Sequence, residues 1–189
     1  MPKGRKRPTR QKPPITPRRP EQYVVSDVSQ EQQRLIGLVV LNWSRLEASI
    51  DNTIWHFLNL GLDEGRVITN RLNTDLKITL LRSLAHAYLS EEDVNEVETR
   101  LLYYIGIYQE DRNFIVHGLW ETLKPENVPV CKSLRPISPT PSEVIAETFP
   151  EERMINLING INEAITGLKI LMARLDGAHE KQPELSPDS

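Results

Sequence analysis

The chain has 189 residues, 39% apolar and 26% charged, with a formal net charge of -3. That is an ordinary globular composition, long enough for one domain with a proper core and short for two. The single cysteine, Cys131, excludes an internal disulfide and a multi-cysteine metal site, and the longest apolar run, Leu101 to Ile105, is far below the roughly 18 residues of a membrane span.

Residues 1–22 combine Lys3, Arg5, Lys6, Arg7, Arg10, Lys12, Arg18 and Arg19 with Pro8, Pro13, Pro14, Pro17 and Pro20, with no acidic residue before Glu21. So little apolar surface cannot offset the entropy of ordering, and the segment is expected to be a disordered arm. It reads either as an electrostatic arm that holds RNA or as a solubilising tail. With those eight cations set aside, 15 Lys and Arg face 26 Asp and Glu, so the body carries a formal charge of -11. The basic start lacks the apolar stretch of a secretory signal, and the expected location is the cytoplasm, with no membrane partner.

Residues 23–177 carry helical periodicity. The first long helix is expected from about Ser29 to Leu60. Ser26, Asp27 and Ser29 offer capping oxygens, and Glu31 and Gln32 follow in capping-box fashion. Leu35, Val39, Leu46, Ile50, Ile54 and Phe57 form its buried stripe, with Gly61 as the stop signal. A second helix covers roughly Thr74 to Leu89, after a short turn near Arg66 to Leu72. Ser90 caps a third helix that runs through Leu101, Leu102, Ile105, Tyr108 and Phe114 to Val116, where Gly118 ends it.

The stretch from 119 to 148 breaks this pattern. Trp120 to Leu123 and Val128 to Lys132 read as short strands around Pro125-Glu126-Asn127, and Pro136, Pro139 and Pro141 argue for an irregular loop. The last helix is expected from about Pro150 to Leu175, followed by a frayed tail over 178–189. The fold class is therefore all-α: an up-and-down four-helix bundle with a long irregular loop or small hairpin between the third and fourth main helices.

The chemistry concentrates in Arg112-Asn113-Phe114-Ile115-Val116-His117-Gly118, at the end of the third helix. Arginine neutralises phosphate and histidine moves protons near neutral pH, the two functions that metal-free RNA cleavage requires. His117 would take the proton of a ribose 2′-hydroxyl or protonate the leaving 5′-oxygen. Arg112 would pair with the phosphate in the transition state, and Asn113 would bond the phosphate or orient His117. On a regular helix Asn113 and His117 share a face, whereas Arg112 lies about 140° from His117. Convergence on one atom then needs arginine's reach, fraying of the last turn at Gly118, or a two-fold dimer whose motifs share a cleft. The plain alternative is a helix end that favours cations.

Arg112-Asn113-x-x-x-His117 resembles the signature of the HEPN superfamily: an arginine, a polar residue and a histidine near the end of the third main helix of an all-helical bundle. The likeness covers about residues 28–175 in architecture and six residues in motif. It implies a metal-independent endoribonuclease acting as a homodimer, often a toxin or antiviral defence effector with a neutralising antitoxin or other regulatory protein. It also allows a non-catalytic member that binds nucleic acid or protein. The basic arm and the proline-rich loop are not part of the family pattern.

Two further positions are candidate supports. Glu47 falls on the apolar stripe of the first helix, where a carboxylate needs a partner. Arg112, Lys77 and Arg82 compete for it, unless the carboxylate reaches water at the stripe's edge. Tyr104, Tyr108 and Arg112 follow at four-residue steps, either as a ledge that stacks on a base or as packing residues. His56, His86 and His179 show no ligand spacing, and no metal or phosphate-loop motif occurs, so neither metal nor cofactor is expected.

Overall fold

The computed structural model describes residues 28–123, 128–132 and 146–179. The basic arm over 1–22, the Pro125-Glu126-Asn127 turn, the loop holding Pro136, Pro139 and Pro141, and the tail beyond His179 lie outside them. The described residues are predominantly helical, with one small sheet among them.

Helix α1 spans Gln30–Phe57. Ser29 caps it through a reciprocal box: its hydroxyl accepts from the Gln32 N–H at 3.1 Å, and the Gln32 side chain accepts from the Ser29 N–H at 2.9 Å. Leu35, Val39, Trp43, Leu46, Ile50, Ile54 and Phe57 are buried along one stripe. The chain leaves α1 through Asn59, whose φ of 50° is left-handed. Gly61, read as the stop signal, is instead the N-cap of α2, Leu62–Thr69. Gly65 of α2 lies under the Trp55 ring, where a Cβ has no room, and the Trp55 indole donates to Thr69 at 3.2 Å.

Helix α3, Thr74–Tyr88, is capped by Asn73. Its side chains meet α1 in ascending order: Thr74 at Glu47, Lys77 at Asp51, and Tyr88 against Phe57. The two helices therefore run in the same direction. Helix α4, Glu91–Glu96, a π-helical turn over Val97–Leu102, and α5, Tyr103–His117, form one continuous rod capped by Ser90. The π turn adds a residue to the helical path, so that the adjacent Leu101 and Leu102 both reach the core. This rod runs against its neighbours: Glu98 meets Arg82 and His86 of α3, and Asp93 and Asp111 meet Arg174 and Arg153 of the last helix.

That last helix, α6, spans Glu151–His179, a turn beyond the expected end near Leu175. It lies along α1 in the same direction, with Asp176 beside His56 at 3.1 Å. The strict up-and-down order of four long helices therefore does not hold. Helices α1, α3 and α6 share a direction, and of the long helical elements among the described residues α4–α5 alone opposes them. The cause is α2, which carries the chain back beside α1 before α3 starts, so that it acts as a short bundle element and not as a turn.

Between α5 and α6 stands an antiparallel sheet in the order β1-β2-β3. Strands β1, Leu119–Leu123, and β2, Val128–Lys132, form the expected hairpin, with Trp120 opposite Cys131. Strand β3, Ala146–Thr148, falls where an irregular loop was expected. It pairs Val130 with Thr148 and delivers the fully buried Phe149 to the core.

Candidate functional site

The end of α5 is built by the sheet as much as by the helix. The last carbonyls of a helix have no partners within it. Here Phe114 O accepts from the Gly118 N–H at 2.9 Å and from the Cys131 thiol at 3.1 Å, while Ile115 O accepts from the Trp120 indole N–H at 2.9 Å. Phe114, Phe149 and Trp120 stack beneath this turn, with ring centroids 5.7 and 5.8 Å apart. Gly118 has φ -81° and ψ 161°, an ordinary extended conformation. A Cβ there would run into the Cys131 sulfur and come within 2.6 Å of Phe114 O. Burial, then the charge of Glu147, pushes the Cys131 thiol up to about 11, so it stays protonated and serves as a donor.

Arg112 is half-buried. Its guanidinium donates to Asn113 Oδ1 at 3.0 Å and lies 5.8 Å from the centre of the Trp43 ring, within cation-π range. Its Nε is buried with no hydrogen-bond partner among the described residues, and no carboxylate among them pairs with the guanidinium. His117 is exposed in the final helical turn. Because the helix stays regular through His117, fraying does not swing the imidazole toward Arg112. The two side chains leave the helix about 140° apart. Asn113, one turn before His117 on the same face, is engaged by Arg112.

Glu47 is half-buried, and its partner is none of the three cations expected. Thr74 Oγ1 donates to it at 2.7 Å. Lys77 is taken by Asp51 at 2.7 Å, Arg82 by Glu98 at 3.4 Å, and Arg112 by Asn113. The hydroxyl wins because α3 starts level with Glu47 and places its first residue there, whereas Lys77 sits one turn further along, opposite Asp51.

Tyr108 turns toward α6 and packs over Gly160, where any Cβ would collide with its ring. Burial, helped by Glu163 and Tyr104, raises its hydroxyl. Tyr104, 6.2 Å away ring to ring, joins it in lining a groove of about 590 Å³ between the π turn, α5 and α6. Tyr108 is thus packed against α6, whereas Tyr104 is 46% exposed on the groove.

Three site features had no signal in the sequence as read: Trp43 under Arg112, Thr74 on Glu47, and the Trp120–Cys131 rung beneath His117. The strand pattern that placed Trp120 and Cys131 in a hairpin was the nearest pointer to the last. Among the described residues, no group of three His, Cys, Asp or Glu side chains is arranged to hold a metal ion, and no helix is long and apolar enough to cross a membrane. No protein-family model matches the chain, and no curated protein or solved structure matches it.

Proposed function

We propose that this chain is a metal-independent endoribonuclease of HEPN type, active as a two-fold dimer in which Arg112 of one subunit and His117 of the other address one phosphodiester. The observation that carries this reading is the state of Arg112: half-buried, held by Asn113 and Trp43, and not neutralised by any carboxylate among the described residues. A guanidinium fixed in advance and left cationic suits phosphate, since its position is set before the anion arrives. His117, exposed in the last turn, is accessible to substrate.

In the proposed reaction the imidazole removes the proton of the 2′-hydroxyl, whose oxygen attacks the adjacent phosphorus. The bond to the 5′-oxygen breaks, that oxygen takes up a proton, and a 2′,3′-cyclic phosphate remains. Arg112 pairs with the phosphoryl oxygens as their charge grows. DNA is inert because it lacks the attacking hydroxyl. A toxin or defence role with a neutralising partner follows from the family resemblance alone.

The divergence of Arg112 and His117 along one helix makes the dimer necessary to this reading, and it also favours a second one. A chain that remains monomeric is a binding module for RNA or protein, with the arm as its electrostatic contact. Mixing decides between them. Arg112→Ala and His117→Ala proteins, each inactive on RNA in EDTA, regain cleavage when subunits exchange, because the mixed dimer restores one guanidinium and one imidazole across the cleft. No recovery, together with RNA binding by an uncleaving wild type, would favour the binding module.

A further inference from the structure

We infer that the sheet is a clamp on the catalytic turn, and that Trp120 and Cys131 are positioning residues for His117. This rests on the nuclease reading for its consequence in catalysis, but not for its geometry.

The final carbonyls of a helix find few partners within it. At the turn of α5 that carries His117, Ile115 O receives the Trp120 indole N–H, and Phe114 O, already bonded to the Gly118 N–H, receives the Cys131 thiol on its second lone pair. These donors come from a single rung, since Trp120 of β1 lies directly opposite Cys131 of β2. Gly118 closes the arrangement, because the absence of a Cβ lets β2 come close enough for the thiol to reach the helix. Beneath the rung, Phe149 packs against both Trp120 and Phe114, and Arg153 covers its ring at 4.1 Å. Arg153 is itself tied to Asp111 on α5 and to Glu147 on β3. The turn is therefore held from the sheet, from α5 and from the start of α6.

An exposed side chain in a last helical turn would otherwise sample a frayed backbone. The clamp removes that freedom while leaving the imidazole open to solvent. Its loss is expected to affect turnover more than binding, since misplacement of a reacting group by about 1 Å costs up to ~10²-fold in rate.

The test compares Trp120→Phe, which keeps the aromatic packing and deletes only the N–H donor, with Trp55→Phe, which deletes an equivalent indole bond far from the motif. Cys131→Ala and Cys131→Ser form a second pair, in which serine restores a donor. Imidazole resonances of His117 and amide exchange at Val116, His117 and Gly118 are followed by NMR. Initial rates are measured on an RNA oligonucleotide in EDTA. In Trp120→Phe and Cys131→Ala, the His117 resonances shift or broaden, exchange at the turn rises, and kcat falls roughly tenfold with KM little changed. Trp55→Phe leaves these unaltered, and Cys131→Ser recovers part of the loss. His117 signals and exchange identical to wild type in both Trp120→Phe and Cys131→Ala would overturn the clamp. NMR changes in a protein whose wild type cuts no RNA would uphold the clamp and remove the nuclease reading.

Discussion

Gly118 occupies a backbone conformation open to any residue, and what it supplies is space between α5 and β2. Gly118→Ala is therefore expected to act by overpacking, at a cost of about 2 kcal/mol, measured as a fall in the urea midpoint with unchanged slope. The sequence marked this glycine as a helix stop. That is its position, but its reason depends on Cys131, thirteen residues away across a hairpin. Cys131 itself yields a pH-dependent outcome. Burial raises its thiol to about 11, so the unfolded chain ionises first as pH rises. Its contribution to stability is thus complete below the unfolded thiol's range and disappears as pH passes through about 11. Tyr108, raised chiefly by burial, acts in the same sense. Urea midpoints of wild type and Cys131→Ala from pH 8 to 10.5 isolate the thiol: the wild type declines more steeply. Parallel curves for the two proteins would refute the assignment.

Among elements, the rod from Glu91 to His117 was legible as one helix because its caps and its apolar spacing are local properties. Its π turn was not, since a single added residue hardly disturbs a pattern that already tolerates neighbouring leucines. Deleting the exposed Thr99 is expected to remove the residue that the π turn absorbs and to restore an α-helical path, with α5 keeping its orientation against α4. The Arg112–Trp43 contact is then retained, and the expected change in urea unfolding is small, about 1 kcal/mol or less. The hairpin of β1 and β2 was readable from alternation and prolines. Strand β3 was not, because three residues between prolines carry too little pattern, and its order comes from pairing with β2.

For the whole molecule, helical class could be read from periodicity, while helix number and direction could not. Whether the eight residues of α2 count as a turn or as an element decides whether α3 runs with α1 or against it, and only the Glu47–Thr74 and Asp51–Lys77 pairings settle that. The same limit applies to the site. The Arg112–His117 motif is a local string, but its partners Trp43 and Trp120 come from α1 and β1. Charge, by contrast, adds up along the chain regardless of fold. An arm with eight cations on a body of formal charge -11 should make RNA affinity strongly dependent on salt. Removing residues 1–22 is expected to flatten the log–log salt dependence by up to about 6 for single-stranded RNA. An unchanged slope would leave the arm as a solubilising tail.

Helix α1 packs most extensively on α6, the last helix among the described residues. During synthesis, the apolar stripe of the first helix therefore leaves the ribosome well before the surface that covers it, with a wait on the order of ten seconds at ordinary elongation rates. Every truncated or stalled product that ends before Glu151 exposes that stripe, which makes such fragments targets for chaperones and proteases. Any activity requiring the finished bundle is absent until α6 has emerged.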